Sequence, residues 1–317
     1  MPLLNIQGVE KAAPKEEKAR ILKRIEAIGN RDVDALDAPR NLMRYLQSWD
    51  VEIINASLQA AGVFVSDREL FDQVLKLASS HAEEEVRSMA ASCLGNVICD
   101  GLEFEDDLPE GAEVPAASVN PEFYQSVKDF LFDRVDSLME SMEVRRRALE
   151  SLGYLGFKPE VREIILRFYR QAPNPWVKVS ALYAMGLTRD PVFERLILEE
   201  LYSGNPDILV EAMHASHILG LGAAEARLLE LSRHPNLDVR CEAVVALGYV
   251  GNPERMPEFL KGVETDNHGV PDVADAVAHS RTALQQRHIS KSGDPLWDDA
   301  EVMGEIEDLL DNREPGS

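Results

Sequence analysis

Two histidines are the residues of this chain whose type and spacing best suit chemistry. His214 and His217 are three positions apart, so a helix carries both imidazoles on one face, as it does for a pair of metal ligands. A metal site needs further ligands, and only Glu211 and the more distant Cys241 are candidates. We therefore predict no metal site and interpret the two histidines as contacts within the fold or with a partner.

Cys241 is a candidate nucleophile, because a thiol becomes reactive when a base lies beside it. The sequence places no fixed base next to Cys241, so we interpret it as a small residue that packs in the fold or lines a groove. The sequence also lacks a glycine-rich phosphate loop, a nucleophile elbow and a paired-carboxylate motif. We therefore predict no catalytic residue and no cofactor.

The segments that carry these residues belong to a repeat. The phrase V-[RK]-x-x-A-x-x-[ASC]-[LM]-G begins at Val86, Val144, Val177 and Val239, and degraded copies begin at Ile53, Ile208 and Val273. Successive copies start 33, 58, 33, 31, 31 and 34 residues apart. A period that is nearly constant apart from one insertion is typical of a solenoid built from helix pairs.

We predict an all-α fold, a right-handed α-solenoid of about six to seven helix pairs in which each second (B) helix begins with the phrase. The predicted domains are a disordered tail at 1–14, the solenoid at 15–290 and an acidic helix or tail at 291–317. An insertion at 100–119 interrupts the solenoid, and its first fourteen residues hold seven acids and no base. We expect this insertion to be exposed, mobile and dispensable for folding.

The segment after residue 291 carries an apolar stripe at Val302, Ile306 and Leu309, which predicts one amphipathic helix. Such a helix either covers the apolar end of the solenoid or docks into a groove of another protein. The sequence leaves both alternatives open.

The net charge of -23 restricts the partners that this surface attracts. An acidic surface repels phosphate backbones and anionic lipids, so we predict no nucleic-acid partner and no membrane partner, and favour a neutral or basic protein or peptide. The three cysteines have no C-x-x-C spacing and no apolar run is long enough to span a bilayer, which indicates a cytoplasmic location. The oligomeric state stays undetermined, with a monomer compatible.

The repeated phrase resembles the HEAT-repeat group of armadillo-type solenoids, in particular the short bacterial form called phycobilisome-lyase HEAT-like repeats. The resemblance covers about residues 40–285. It implies one of the functions found in this group, which includes adaptors, scaffolds, chromophore lyases and a few enzymes. Deoxyhypusine hydroxylase is similar in fold but binds iron through adjacent His-Glu pairs, and the nearest approach to one here is His81-Ala82-Glu83. That reaction is therefore disfavoured, whereas a phycobilin-lyase-like activity stays open as the alternative.

Periodicity assigns the faces of each B helix. Positions 0, 4, 7, 8 and 11 of the phrase share one face and form the predicted core, while positions 2, 6 and 9 lie on the opposite, solvent-facing side. We predict that this second face, concave in resembling solenoids, binds a protein or peptide. The predicted binding residues are Arg146, Val179, Tyr183, Val210, His214, His217, Cys241 and Val245.

The bases at position 1 are expected to pair with the acids directly before each phrase and form a ladder between repeats. The function predicted is a non-catalytic scaffold or adaptor.

Overall fold

A computed structural model of the protein describes residues 15–32, 37–109 and 114–291. Every regular element in those ranges is helical, and they hold no strand. None of the described helices is both long and apolar enough to cross a membrane. The predicted tails fall mainly outside these ranges, so residues 1–14 and the apolar stripe near Leu309 lie outside the described residues.

The helices follow one another with short connections. In chain order they are α1 (Lys15–Gly29), α2 (Ala38–Tyr45), α3 (Val51–Ala61), α4 (Arg68–Ser80), α5 (Glu84–Cys93), α6 (Gly95–Asp100), α7 (Pro121–Asp136), α8 (Met142–Leu152), α9 (Pro159–Arg170), α10 (Pro175–Thr188), α11 (Glu194–Glu200), α12 (Pro206–Ile218), α13 (Glu225–Leu231), α14 (Leu237–Val250), α15 (Met256–Asp266) and α16 (Pro271–Lys291). Within the described ranges they form seven pairs, α2–α3, α4–α5, α7–α8, α9–α10, α11–α12, α13–α14 and α15–α16. The predicted all-α solenoid of helix pairs is confirmed.

The chain divides into two compact units, the first ending at Leu152 and the second beginning at Gly153. In the first unit the B helices α3, α5 and α8 pack side by side, and α1 packs on α3. In the second unit α10, α12, α14 and α16 form the same kind of row. Each A helix packs on the B helix that follows it, so the core lies between the two rows of helices.

The core positions predicted from the phrase are confirmed. In α14, Val239, Ala243, Ala246 and Leu247 are fully buried, and the same positions are buried in α5, α8 and α10. Asparagine or aspartate caps most B helices, as where the Asn174 side chain accepts a hydrogen bond from the Val177 amide at 3.1 Å. The phrase therefore encodes both where a B helix begins and which face it buries.

The bases at position 1 pair with the neighbouring repeat, although not with the acids directly before the phrase. Arg87 donates to the backbone oxygen of His81 at 2.8 Å and to the Glu140 carboxylate, in the next pair, at 2.9 Å. Lys178 lies 2.5 Å from Glu200, which ends the A helix of the next pair. A ladder between repeats is thus present at these two bases, and its acids lie between α7 and α8 (Glu140) and at the end of α11 (Glu200).

The insertion at 100–119 is packed at both of its ends, so the expectation that it is exposed is wrong there. The Asp100 carboxylate accepts hydrogen bonds from the backbone amides of Ser118 and Val119 at 2.8 and 2.9 Å and closes the loop. Glu105 is buried, and it accepts from the Tyr124 hydroxyl at 2.5 Å and from Lys128 at 2.6 Å. The acids of this segment are partly structural groups with specific partners, not a uniformly solvated run.

The glycine at position 9 of the phrase lies against the next B helix, so the assignment of this position to the solvent-facing side is wrong. A β-carbon on Gly186 would lie 3.2 Å from the Cα of Ala215, and one on Gly248 would lie 2.7 Å from the Cα of Ser280. The absence of a side chain at position 9 therefore sets how closely neighbouring B helices approach.

We expect Gly248→Ala to destabilise the second unit by about 2 kcal/mol, because α14 and α16 must move apart to admit the methyl group. Gly262→Ala is the matched control, since that helical glycine in α15 has no atom within 4 Å of the added carbon. The control should stabilise by about 0.5–1 kcal/mol through helix propensity. Urea unfolding followed by circular dichroism measures both, and equal effects of the two changes would contradict the close packing.

Candidate functional site

The predicted binding residues lie on B helices of both units, and all eight are half-buried. Arg146 lies on α8 in the first unit, where its guanidinium bonds Glu143 at 2.6 Å and Glu150 at 3.3 Å. Its charge is thus matched within its own helix. The other seven belong to α10, α12 and α14 of the second unit and are Val179, Tyr183, Val210, His214, His217, Cys241 and Val245.

A row of rings crosses the four B helices of the second unit, and we call it the ring row. It runs from Tyr183 on α10 to His214 on α12, with ring centroids 6.1 Å apart, and on to His217 at 5.1 Å. His217 stacks on Tyr249 of α14, with centroids 4.5 Å apart and planes inclined by 14°. The Tyr249 hydroxyl lies 3.1 Å from Nε2 of His279 on α16 and completes the row.

Two carboxylates lie beside the ring row. Glu211 Oε1 is 3.3 Å from Nδ1 of His214, and Glu242 Oε1 is 3.7 Å from Nδ1 of His217. The first distance is a hydrogen bond and the second is too long for one. Both the Glu242 oxygen and the His217 nitrogen are buried and have no hydrogen-bond partner. Buried polar atoms are almost always paired, so these two atoms of α12 and α14 are an exception to the usual pattern.

Burial sets the protonation of these groups. It raises the pKa of Glu242 to about 7, an effect that the charge of Glu211 increases and that of His214 opposes. It also holds the pKa of His217 well below its usual value, with repulsion from His214 and His279 acting in the same direction. Burial acts to lower the pKa of His214 as well, but the hydrogen bond with Glu211 and the charges of Glu211 and Glu242 together outweigh it and leave that pKa raised. His217 is therefore neutral near pH 7, and His214 is the histidine of the pair that gains a proton first.

The described residues were also compared with the requirements of a metal site and of a cysteine nucleophile. Across the described ranges, no group of three or more histidine, cysteine or acidic side chains is placed to hold a metal ion. Burial together with Asp272 raises the pKa of the Cys241 thiol. A raised pKa disfavours the thiolate, which is the reactive form.

Three members of the site were missed by sequence reasoning. Tyr249 follows the position-9 glycine, His279 occupies position 6 of the degraded copy at Val273, and Glu242 occupies position 3 of the copy at Val239. Position 6 holds Tyr183 and His214 in other repeats, so extending that comparison to the last copy finds His279. Positions 3 and 10 were not assigned to the binding face, so the phrase alone gave no signal for Glu242 or Tyr249.

The helix pairs, the repeated phrase and the buried positions together identify the architecture. The chain is an α-solenoid of helix pairs. No protein-family model matches it, and no curated protein matches it either.

Several solved structures are similar to this α-solenoid. YibA of Escherichia coli is 16% identical with a TM-score of 0.48, and the match covers 96% of this chain and 99% of that one. The complex of CpcE and CpcF of phycocyanin lyase from Nostoc sp. PCC7120 is 15% identical with a TM-score of 0.48, covering 89% of this chain and 100% of that one. A designed armadillo repeat protein in complex with the peptide (KR)4 is 16% identical with a TM-score of 0.35, covering 75% and 95%. The fold assignment rests on the helix pairs of this chain itself.

Proposed function

We infer that this protein is a non-catalytic scaffold that binds a segment of another protein across the B helices of its second unit. The observation that carries this proposal is the ring row, in which five partly accessible rings on four successive helices run across one face. Tyrosine and histidine combine a flat apolar surface with a polar edge, which suits an interface that is buried only when a partner is present.

The chemistry of the second unit supports binding over catalysis. Its one thiol near the ring row, Cys241, has a raised pKa, and its acids Glu211 and Glu242 are next to histidines without an arranged nucleophile. A lyase-like activity on a chromophore, which the repeat phrase also suggests, has no comparable support in the described residues. The acidic surface favours a neutral or basic partner in the cytoplasm.

Site-specific photo-crosslinking in the native cell tests the proposal. A benzophenone amino acid at Val210 or at Val245 is expected to capture one and the same protein, because both half-buried positions lie on the B-helix face of the second unit. The same probe at Val192 and Glu258 is the control, since both are exposed and belong to the A-helix side of their pairs. Mass spectrometry of the adducts identifies the segment bound. Capture of one protein only from the control positions would place the interface elsewhere and overturn the proposal.

A further inference from the structure

We propose that the protein forms a weak symmetric dimer in which α11 of one copy packs antiparallel on α11 of a second copy. This inference goes beyond the proposed function, because α11 is an A helix whereas the proposed binding face lies on the B helices. A dimer of this kind leaves the ring rows of both copies to other partners.

The outer side of α11 carries four residues spaced three, four and three positions apart, and we call them the α11 stripe. They are Val192, Arg195, Glu199 and Tyr202. This spacing places all four on one side of a helix, while Phe193 and Ile197 are buried on the other side. The two ends of the stripe are apolar and exposed, Val192 at 59% and Tyr202 at 69%. Its centre holds one base and one acid.

The stripe borders an open trough of about 610 Å³. Pro191 and Leu198 add apolar surface to this trough, and Glu194 adds a second acid. Single exposed apolar side chains are common on proteins, but several on one helix face mark a contact surface. The trough is therefore a helix face suited to packing against another helix.

The Tyr202 ring is held in position by a neighbouring helix. The Arg227 guanidinium of α13 lies 4.7 Å from the centre of the ring, and its Nε donates to the backbone oxygen of Leu201 at 3.1 Å. Most of the ring surface nevertheless stays exposed. A ring that is already positioned loses little conformational freedom when another surface covers it, which favours association.

The α11 stripe is complementary to itself across a two-fold axis. In an antiparallel pair centred on Ile197, Val192 of one copy is opposite Tyr202 of the second, five positions either side of the centre. Arg195 is likewise opposite Glu199 of the second copy, and each of these contacts occurs twice. A parallel pair would instead place Arg195 beside Arg195 and Glu199 beside Glu199. Charge therefore selects the antiparallel arrangement, in which one surface serves both copies.

Size and net charge limit the affinity. About three turns of one helix bury less than the roughly 1,200 Å² at which standard interfaces begin, and two chains with a net charge of -23 repel each other. The base and acid at the centre of the stripe balance locally, so the dimer contact itself adds no like-charge pair there. We expect a dissociation constant of roughly 10–100 µM at about 150 mM salt.

Sedimentation velocity of the full chain, from about 5 to 500 µM, tests the proposal. The sedimentation coefficient should rise from the monomer value toward the dimer value over this range. Arg195→Glu places acid opposite acid and should weaken association by roughly tenfold or more. Adding Glu199→Arg restores opposite charges across the axis and should return association close to that of the parent.

Lys261→Glu on α15 is the matched control, because it makes the same change in net charge at an exposed position of another A helix. It should associate as the parent does. Circular dichroism melting curves establish that all variants are folded. The proposal is overturned if the parent stays monomeric up to about 500 µM, if Arg195→Glu associates like Lys261→Glu, or if the double reversal associates no more tightly than Arg195→Glu alone.

These results are separable from those of the crosslinking experiment. A probe at Val192 that captures a second copy of this chain supports the dimer, and its mass distinguishes that adduct from a partner captured at Val210 and Val245. Glu258 remains a control for both contacts. A captured partner without self-association keeps the binding face and rejects the dimer, whereas self-association without a captured partner does the reverse.

Discussion

Replacing Lys128 with methionine is expected to destabilise the first unit by about 3–5 kcal/mol. The Lys128 ammonium lies 2.6 Å from Glu105, whose side chain is only 4% exposed. Methionine keeps most of the volume of lysine but removes this ammonium group from the buried carboxylate. The Tyr124 hydroxyl still donates to Glu105, and burial raises the pKa of Tyr124 so that it remains a donor. A neutral hydroxyl donor does not replace the lost ammonium charge.

Urea unfolding monitored by circular dichroism, with hydrogen exchange to assign the loss to the first unit, measures this effect. Lys76→Met is the control, because Lys76 is exposed on α4, and it should change the free energy of unfolding by less than about 0.5 kcal/mol. Adding Glu105→Gln to Lys128→Met should restore part of the stability, since it removes the buried charge that Lys128 had paired with. A loss below about 1 kcal/mol for Lys128→Met would show that Glu105 is solvated and that the insertion is loosely held.

This contact also explains why composition misjudged the insertion. Seven acids in fourteen residues indicate a solvated loop when they are considered only as a local run. Whether an acid is solvated depends on its partner, and the partners of Glu105 lie about twenty residues further on, in α7. Nothing in the local sequence distinguishes Glu105 from its exposed neighbours Asp106 and Asp107.

The architecture, in contrast, was predictable from the sequence because the same residue pattern recurs in each repeat. The buried positions recur at the same places in each copy of the phrase, and one helix is sufficient to define its apolar face. The solvent-facing side was harder to assign, since it depends on the neighbouring helix. Gly186 and Gly248 are opposite the core face of their own helix and are nevertheless buried against the next one.

The residues of the candidate site differ in the same way: some were predictable from one helix, and others depend on contact with a neighbouring helix. His214 and His217 belong to one helix, and their spacing alone identified them. Tyr249 and Glu242 reach the ring row from α14, and their contact with α12 depends on the lateral register of two helices about thirty residues apart in sequence. His217 itself occupies position 9, where other repeats have glycine, and it fills the space between these helices with a ring that stacks on Tyr249. Helical periodicity does not determine that register.

Glu242→Gln is expected to stabilise the second unit at high pH and to have little effect at low pH. Burial raises the pKa of Glu242 from 4.5 to about 7 in the folded chain. Between these two values the unfolded chain releases the proton while the folded chain keeps it, so raising the pH lowers the stability of the fold. A difference of this size corresponds to about 3 kcal/mol, which is fully present above pH 7 and vanishes below pH 4.5. Glutamine has no charge to bury, so the variant should not lose stability in this way as the pH rises.

The difference in the free energy of unfolding between Glu242→Gln and the parent, measured at several values between pH 4.5 and 8, separates the contribution of Glu242 from that of His217. His217 acts in the opposite sense, because its lowered pKa makes the fold lose stability as the pH falls, and both proteins share that contribution. Glu258→Gln, in which the glutamate is exposed, should show no such trend. If the stability difference for Glu242→Gln were the same at pH 5 and pH 8, Glu242 would already have a counter-charge in the folded chain.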